Sequence, residues 1–264
     1  MNYHILNGDE LARKFDKNIL GDLIVCRECM VEGPLDAPTQ EAFWGARAAF
    51  FAEEYEAYDQ ELGYNGPGYD AVVAEFSKLL NTDHTSEVYL WFEHDLFCQA
   101  NMWFCLDFIR RHTPATAVYW VPPPDQIDAH RWCGFGPLNT LDLQHYFDSR
   151  IPFTEDDLQL GLQLWGAFRT NDHANIMHLA SAASPCFPRL AEVCRAHVSR
   201  FPSLPGGLGR PQQRLKELMM EGIDNFPQLF QAFSKTEGVY GFGDLQVKRL
   251  LISPRTTDGA TAPV

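Results

Sequence analysis

Short apolar runs that stop on polar clusters alternate with longer stretches of helical period along the first half of the chain. Tyr3 to Leu6 breaks at Asn7-Gly8-Asp9, and Glu10 to Phe15 then reads as an amphipathic helix. Leu23 to Cys26 stops at Arg27 and Glu28, and Glu32-Gly33-Pro34 marks a loop. Thr39 to about Glu61 predicts a long helix with Phe43, Trp44, Arg47, Phe50, Phe51 and Tyr55 on or near one stripe; Gly63 to Gly68 ends it, and Tyr69 to Leu80 predicts a second. Val88 to Phe92 is the third apolar run, closed by Glu93, His94 and Asp95. Leu96 to Arg111 is apolar almost all round and ends in Arg110 and Arg111, which suit a helix C-terminus. Val118 to Val121 is the fourth run, stopped by Pro122-Pro123-Pro124.

Strands that are short and continuously apolar, and that alternate with helices, predict a Rossmann-like parallel sheet with helices on both faces. After a connector containing Gly134 and Gly136 the pattern turns wholly helical: Thr140 to Asp148, Thr154 to Thr170 with a capping box at Thr154 and Asp157, Ala174 to Leu179, and Pro188 to Phe201. Ser203 to Gly209, with Pro205 and three glycines, is the expected linker. Arg210 to Gly222, Phe226 to Ser234 and Phe242 to Ile252 then predict a trihelical, helix-turn-helix-like module, with Asp244 placed to cap its last helix. The expected organisation is an α/β domain over 1–136, a helical region over 137–204, the trihelical module over 205–253 and a disordered tail over 254–264.

Composition narrows what such a fold does. The 264 residues, 45% of them hydrophobic, suffice for a real core. No window approaches the length of a membrane span, and the N-terminus has no basic region followed by an apolar run, so a cytoplasmic location is expected. The formal charge is −14, and residues 1–120 hold 8 basic against 20 acidic side chains, which would repel a nucleic-acid backbone. The trihelical segment, with 6 basic against 5 acidic residues, is a weak electrostatic footprint for DNA; packing or dimerisation is its favoured use. The seven cysteines are expected as reduced thiols, and the Cys26–Cys29 pair, with no second pair or histidines at ligand spacing, as two half-buried thiols flanking a turn.

Chemistry is expected where the strands stop, because ligands of open parallel sheets bind at the carboxyl edge where the strand order reverses. Asn7, Gly8 and Asp9 follow the first strand, Arg27 and Glu28 the second, and Glu93 and Asp95 the third, with Glu32 in the loop beyond the second and Gln99 in the first turn of the following helix. Carboxylates two apart share one face while a strand persists, so Asp9, Glu93 and Asp95 are the candidate ligands for Mg²⁺ or Mn²⁺. Crowded carboxylates alternatively supply a general acid and base without metal, for which Glu93, Asp95 and Glu28 are the candidates. Arg27 and Arg47 would meet the anionic groups of a phosphorylated, nucleotide-like small molecule. Plainer readings stand beside these. Asp9 and Asp95 suit helix caps, Arg27 and Glu28 an ion pair, Arg47 a snorkelling side chain, His4 a hydrogen bond in the core, and His94 a structural or supporting role. Gln99 and Asn101 suit a ligand approaching a helix N-terminus. No GxGxxG, GxxxxGK[ST], GxSxG or HExxH is present, so dinucleotide, P-loop, α/β-hydrolase and zincin readings lack a motif.

Four blocks, HILNGD at 4–9, RECMVEGP at 27–34, FWGAR at 43–47 and LWFEHDLFCQAN at 90–101, resemble the domain-of-unknown-function family 1835. The resemblance covers roughly the first 120 residues and extends more weakly to Arg210–Ile252. It implies kinship without an activity to import, and it implies that Asn7, Gly8, Asp9, Arg27, Glu28, Glu32, Gly33, Pro34, Glu93, Asp95 and Gln99 stand at motif positions, with Cys26 and His94 at variable ones. Two functions are open on this reading: binding or turnover of a phosphorylated small molecule at the strand ends, and a non-enzymatic regulatory module whose helical end contacts protein or nucleic acid.

Overall fold

The computed structural model describes residues 2–16, 18–55, 68–82, 85–124 and 134–252. The expected helix end near Glu61, the Gly63–Pro67 part of the break after it and the tail from 254 lie outside them. Four strands run parallel: β1 (Tyr3–Asn7), β2 (Asp22–Cys26), β3 (Glu87–Trp91) and β4 (Ala117–Trp120). A fifth, β5 (Ile151–Pro152), pairs antiparallel with β4, and the spatial order is β2-β1-β3-β4-β5. This last strand departs from the all-parallel expectation. It is two residues long, one of them a proline tolerated only at an edge, so it leaves no run to read.

Eleven α-helices are found among the described residues. α1 (Asp9–Lys14) joins β1 to β2, α2 (Gln40–Glu54) and α3 (Tyr69–Ser77) lie between β2 and β3, and α4 (Leu96–His112) joins β3 to β4. Then follow α5 (Thr140–Asp148), α6 (Glu155–Arg169), α7 (His173–Leu179), α8 (Leu190–Ser199), α9 (Arg210–Met220), α10 (Phe226–Thr236) and α11 (Asp244–Ile252). Both faces of the sheet are covered, which is why its strands are apolar at successive positions rather than at alternate ones. Ile5, Ile24, Leu90 and Trp120 face a core shared with Phe76, Trp103 and Phe104; Leu6, Tyr89 and Trp91 face a smaller one with Leu11, Phe135 and Leu143.

The all-round apolar character of Leu96 to Arg111 has its cause in α4's place. It lies between the sheet and α6, and residues such as Trp103, Cys105 and Leu106 are fully buried. Burying each large apolar side chain of this kind contributes roughly 1.5–3 kcal/mol. The capping box expected at Thr154 and Asp157 opens α6, with Asp157 N–H donating to Thr154 Oγ1 at 3.2 Å and Thr154 N–H donating to Asp157 Oδ2 at 3.0 Å.

The C-terminal helices continue this core. α9 packs against α10 and α11, and Leu215, Leu229, Phe233, Tyr240 and Val247 belong to the same buried set as Ile5 and Leu90. The segment expected as a linker folds back on α8: a Cβ at Gly209 would stand 1.8 Å from the Arg200 carbonyl oxygen, so only glycine allows the approach.

Candidate functional site

The strand order reverses between β1 and β3, and the chain leaves both strands at that edge with polar residues. After β1, Gly8 at φ 87 turns the backbone into α1, its N–H donating to the carbonyls of Leu6 and Cys26 at 3.1 Å. After β3, Phe92 is buried and Asp95 becomes the N-cap of α4, accepting from Cys98 N–H at 2.9 Å through Oδ1. Between them Glu93 accepts from Phe135 N–H at 2.7 Å, and its backbone carbonyl accepts from the Gln99 amide at 2.7 Å. Gly134 lies so close that a Cβ there would meet the Glu93 carboxylate at 1.9 Å.

Glu93 and Asp95 form ion pairs with no described residue. Burial, and then the neighbouring Asp95 charge, push the Glu93 carboxyl up to about 7, against the pull of Phe135 N–H and the Lys14 ammonium. Burial likewise raises Asp95, opposed by the donors at the start of α4, Cys98 N–H foremost. The Cys98 thiol is held well above its ordinary range by burial and by the two carboxylates. One ligand atom from each of Glu93, Asp95 and Cys98 lies within 4.8 Å of the others. Two carboxylates suit Mg²⁺ or Mn²⁺, which leaves its remaining positions to water and substrate oxygens; the thiol suits a softer ion.

The other expected site residues are placed differently. Asp9 does not cap α1 and does not join Glu93; it holds Arg27 through three bonds of 2.8 to 3.1 Å. Arg27 and Glu28 therefore do not pair with each other. Glu28 instead meets Arg47 at 2.6 Å with both side chains 0% exposed, and it also accepts from the Tyr69 hydroxyl. Arg47 neither snorkels nor faces a ligand: its remaining bonds go to the carbonyls of Glu32 at 2.5 Å and Cys29 at 3.0 Å. Glu32 accepts from Tyr55 Oη at 2.6 Å and lies 3.5 Å from Arg249. Asn101 donates to Asn7 Oδ1 and the Glu28 carbonyl and accepts from Met30 N–H, so it ties the β1 and β2 ends together rather than waiting for a ligand. Asn7 and Gln99 stay beside Glu93 and Asp95, Asn7 donating to Cys98 Sγ at 3.0 Å. His94 is buried edge-on to Trp120, and His4 accepts from Trp91 Nε1 at 3.1 Å, as core histidines do. Cys26 and Cys29 are both buried, and burial pushes the Cys29 thiol up to about 12.

Above the acid pair is a cleft of about 1290 Å³ whose floor includes Asn7, Glu93, Asp95 and Cys98 and whose opposite wall is formed by α10, the turn that carries Gly241, and Gln246 of α11. Half-buried Phe97 belongs to the floor, and half-buried Phe230 and Phe242 to that wall. The wall was not foreseen. Its one local sign is the glycine pair bracketing Phe242, and its other members are ordinary helix residues whose role depends on where α10 docks. The arginines of α9 and α11 are occupied: Arg210 with Glu237 at 2.5 Å, Arg214 with Glu221 at 2.9 Å, and Arg249 with Glu54 at 2.6 Å. No protein-family model matches the chain, and no curated protein matches it.

Proposed function

We propose that the chain binds, and through Glu93 acts on, a phosphorylated small molecule of nucleotide size held between the carboxyl edge of its sheet and its C-terminal module. The observation that carries this is the Glu93–Asp95 pair, two carboxylates in no ion pair with a described residue, at the floor of the cleft. Two carboxylates this close repel each other when both are charged, and a cation between them relieves that repulsion. Because Arg27 and Arg47 are committed to Asp9 and Glu28, a phosphate would reach this floor with a divalent cation between it and the carboxylates. Glu93 and Asp95 would hold Mg²⁺ or Mn²⁺ there, neutralising charge on the phosphate. Phe97, Phe230 and Phe242 offer faces on which a planar ring would stack.

The strand order, with its reversal between β1 and β3, supports reading the sheet as Rossmann-like. The four blocks that resemble family 1835 supply the residues at that edge or supporting it, and we propose that kinship on this ground. A second reading of the same cleft, proton transfer by Glu93 without metal, draws support from a carboxyl raised to about 7, near where a general acid and base works best. The regulatory reading, in which a helix-turn-helix-like module contacts nucleic acid, is disfavoured by the pairing of Arg210, Arg214 and Arg249 with glutamates.

Calorimetry tests the main reading. Mn²⁺, and a nucleoside diphosphate in its presence, should bind the wild type and not the Glu93→Ala, Asp95→Ala double variant. Equal behaviour of the two proteins removes the cation site.

A further inference from the structure

The C-terminal module reaches the acid pair through one backbone position. Gly241 has φ +64, and a Cβ there would stand 1.9 Å from Asp95 Oδ1. That is the same oxygen that caps α4 by accepting from Cys98 N–H at 2.9 Å. The capping oxygen is thus confined on one side by the start of a helix and on the other by a residue 146 positions later in the chain. The turn that carries Gly241 is itself anchored. Gly243 N–H donates to Gln246 Oε1 at 3.0 Å, Gln246 Nε2 donates to the Tyr55 hydroxyl at 3.0 Å, and Tyr55 donates to Glu32 at 2.6 Å. One helical turn on, Arg249 reaches the Glu54 carbonyl at 3.0 Å. A continuous line of bonds therefore runs from the loop after β2 to the turn over α4.

We propose that Gly241 is a positioning residue of the site: it fixes which oxygen of Asp95 is spent on α4 and therefore which is left for a ligand beside Glu93. The inference deepens the reading of Glu93 and Asp95 as the ligand-facing pair and rests on it. The C-terminal module is then part of the binding site and not an appended unit. Any side chain at 241 forces Asp95 from its rotamer, releases the cap and loosens the floor next to Cys98, which is 5% exposed at the cleft.

The test uses the full chain and three variants. Gly241→Ala introduces the clash, and Gly222→Ala is its control, since Gly222 has φ +96 but nothing within 4 Å of an added Cβ. Gln246→Ala removes the anchor without adding an atom, and it decides the matter if Gly241→Ala does not fold. The readouts are Mn²⁺ binding by electron paramagnetic resonance and iodoacetamide labelling of Cys98 followed by mass spectrometry. A lost cap and a misplaced ligand oxygen should weaken Mn²⁺ binding about tenfold in Gly241→Ala and speed Cys98 labelling about tenfold, with smaller changes of the same sign in Gln246→Ala. Gly222→Ala should match the wild type in both. Unchanged labelling and binding in folded Gly241→Ala and Gln246→Ala, or equal changes in Gly222→Ala, overturn the proposal. A wild type that binds no Mn²⁺ would sink the cation reading instead, and Cys98 labelling would then decide the role of Gly241 by itself.

Discussion

Replacing Arg47 by methionine should be among the most damaging single changes available to this fold. The methionine keeps most of the apolar stem and removes the guanidinium, leaving Glu28, whose side chain is 0% exposed, with the Tyr69 hydroxyl and the Cys29 N–H as partners. It also strands the Glu32 carbonyl, which accepts from Arg47 at 2.5 Å, and leaves the Cys29 carbonyl with the Glu32 N–H alone. Removing one partner of a buried ion pair costs about 3–5 kcal/mol, and each stranded carbonyl that water does not reach adds about 1–3 kcal/mol. With one carbonyl stranded we expect a loss of about 4–8 kcal/mol, or roughly 10–25 °C in Tm for a chain of this size. The Arg27–Asp9 pair, 24% and 33% exposed, is the internal comparison: Arg27→Met should cost about 1 kcal/mol or less. Urea denaturation of the two variants, with Glu28→Gln and the Glu28→Gln, Arg47→Met double variant completing a cycle, measures the difference. The double variant should recover part of the loss, since no buried charge then remains unpaired. An Arg47→Met protein within about 1 kcal/mol of wild type would refute the reasoning.

Two further expectations concern pH, with opposite signs. The Glu93 carboxyl lies near 7 in the folded chain against an ordinary 4.5, so the folded state holds the proton more tightly; the stability this contributes is fully present below 4.5 and is lost as pH rises through about 7. The loss is at most about 3 kcal/mol, reduced because the cleft leaves part of Glu93 open to water. Denaturation at pH 5 and 8 should show Glu93→Gln gaining stability relative to the wild type at the higher pH; identical pH dependence of the two would contradict it. His4 is pushed down to about 4, by burial first and then by the Arg150 charge, so the stability it brings as a neutral ring is present above 6.5 and is lost as pH drops through about 4. Trp91 donates to Nδ1, which leaves the proton on Nε2, 3.3 Å from the Leu20 carbonyl. Ring carbon and nitrogen shifts at pH 5 should report that neutral tautomer, and a charged ring would overturn the assignment.

The four parallel strands and the buried helix α4 were legible because burial on two faces imposes a continuous apolar run, a property of adjacent residues. So was the edge at which polar residues gather, and within it Glu93, whose position no helix cap explains. What could not be read was which charge meets which. Glu28 finds Arg47 on α2 instead of its neighbour Arg27, and Asp9 is drawn to Arg27 and away from Glu93, because these choices follow from side-chain directions set by packing. Cys98 lies in an apolar stretch that gives no sign of a site, yet it stands beside both carboxylates since it occupies the first turn of the helix that Asp95 caps. The far wall escaped for a related reason. Phe230 and Gln246 look like any partly apolar helix positions until α10 and α11 are docked.

The wall built by α10 and by the turn at Gly241 has a consequence for how the protein comes into being. A ribosome releases the sheet and its acid pair long before it releases the residues that close over them, so the nascent chain presents an unfinished floor for the time needed to add the remaining helices. The approach of Gly241 to Asp95 spans 146 positions, a contact of high sequence separation and the kind that forms late and slowly. A chain cut short in those helices would carry Glu93 and Asp95 intact without the wall that faces them.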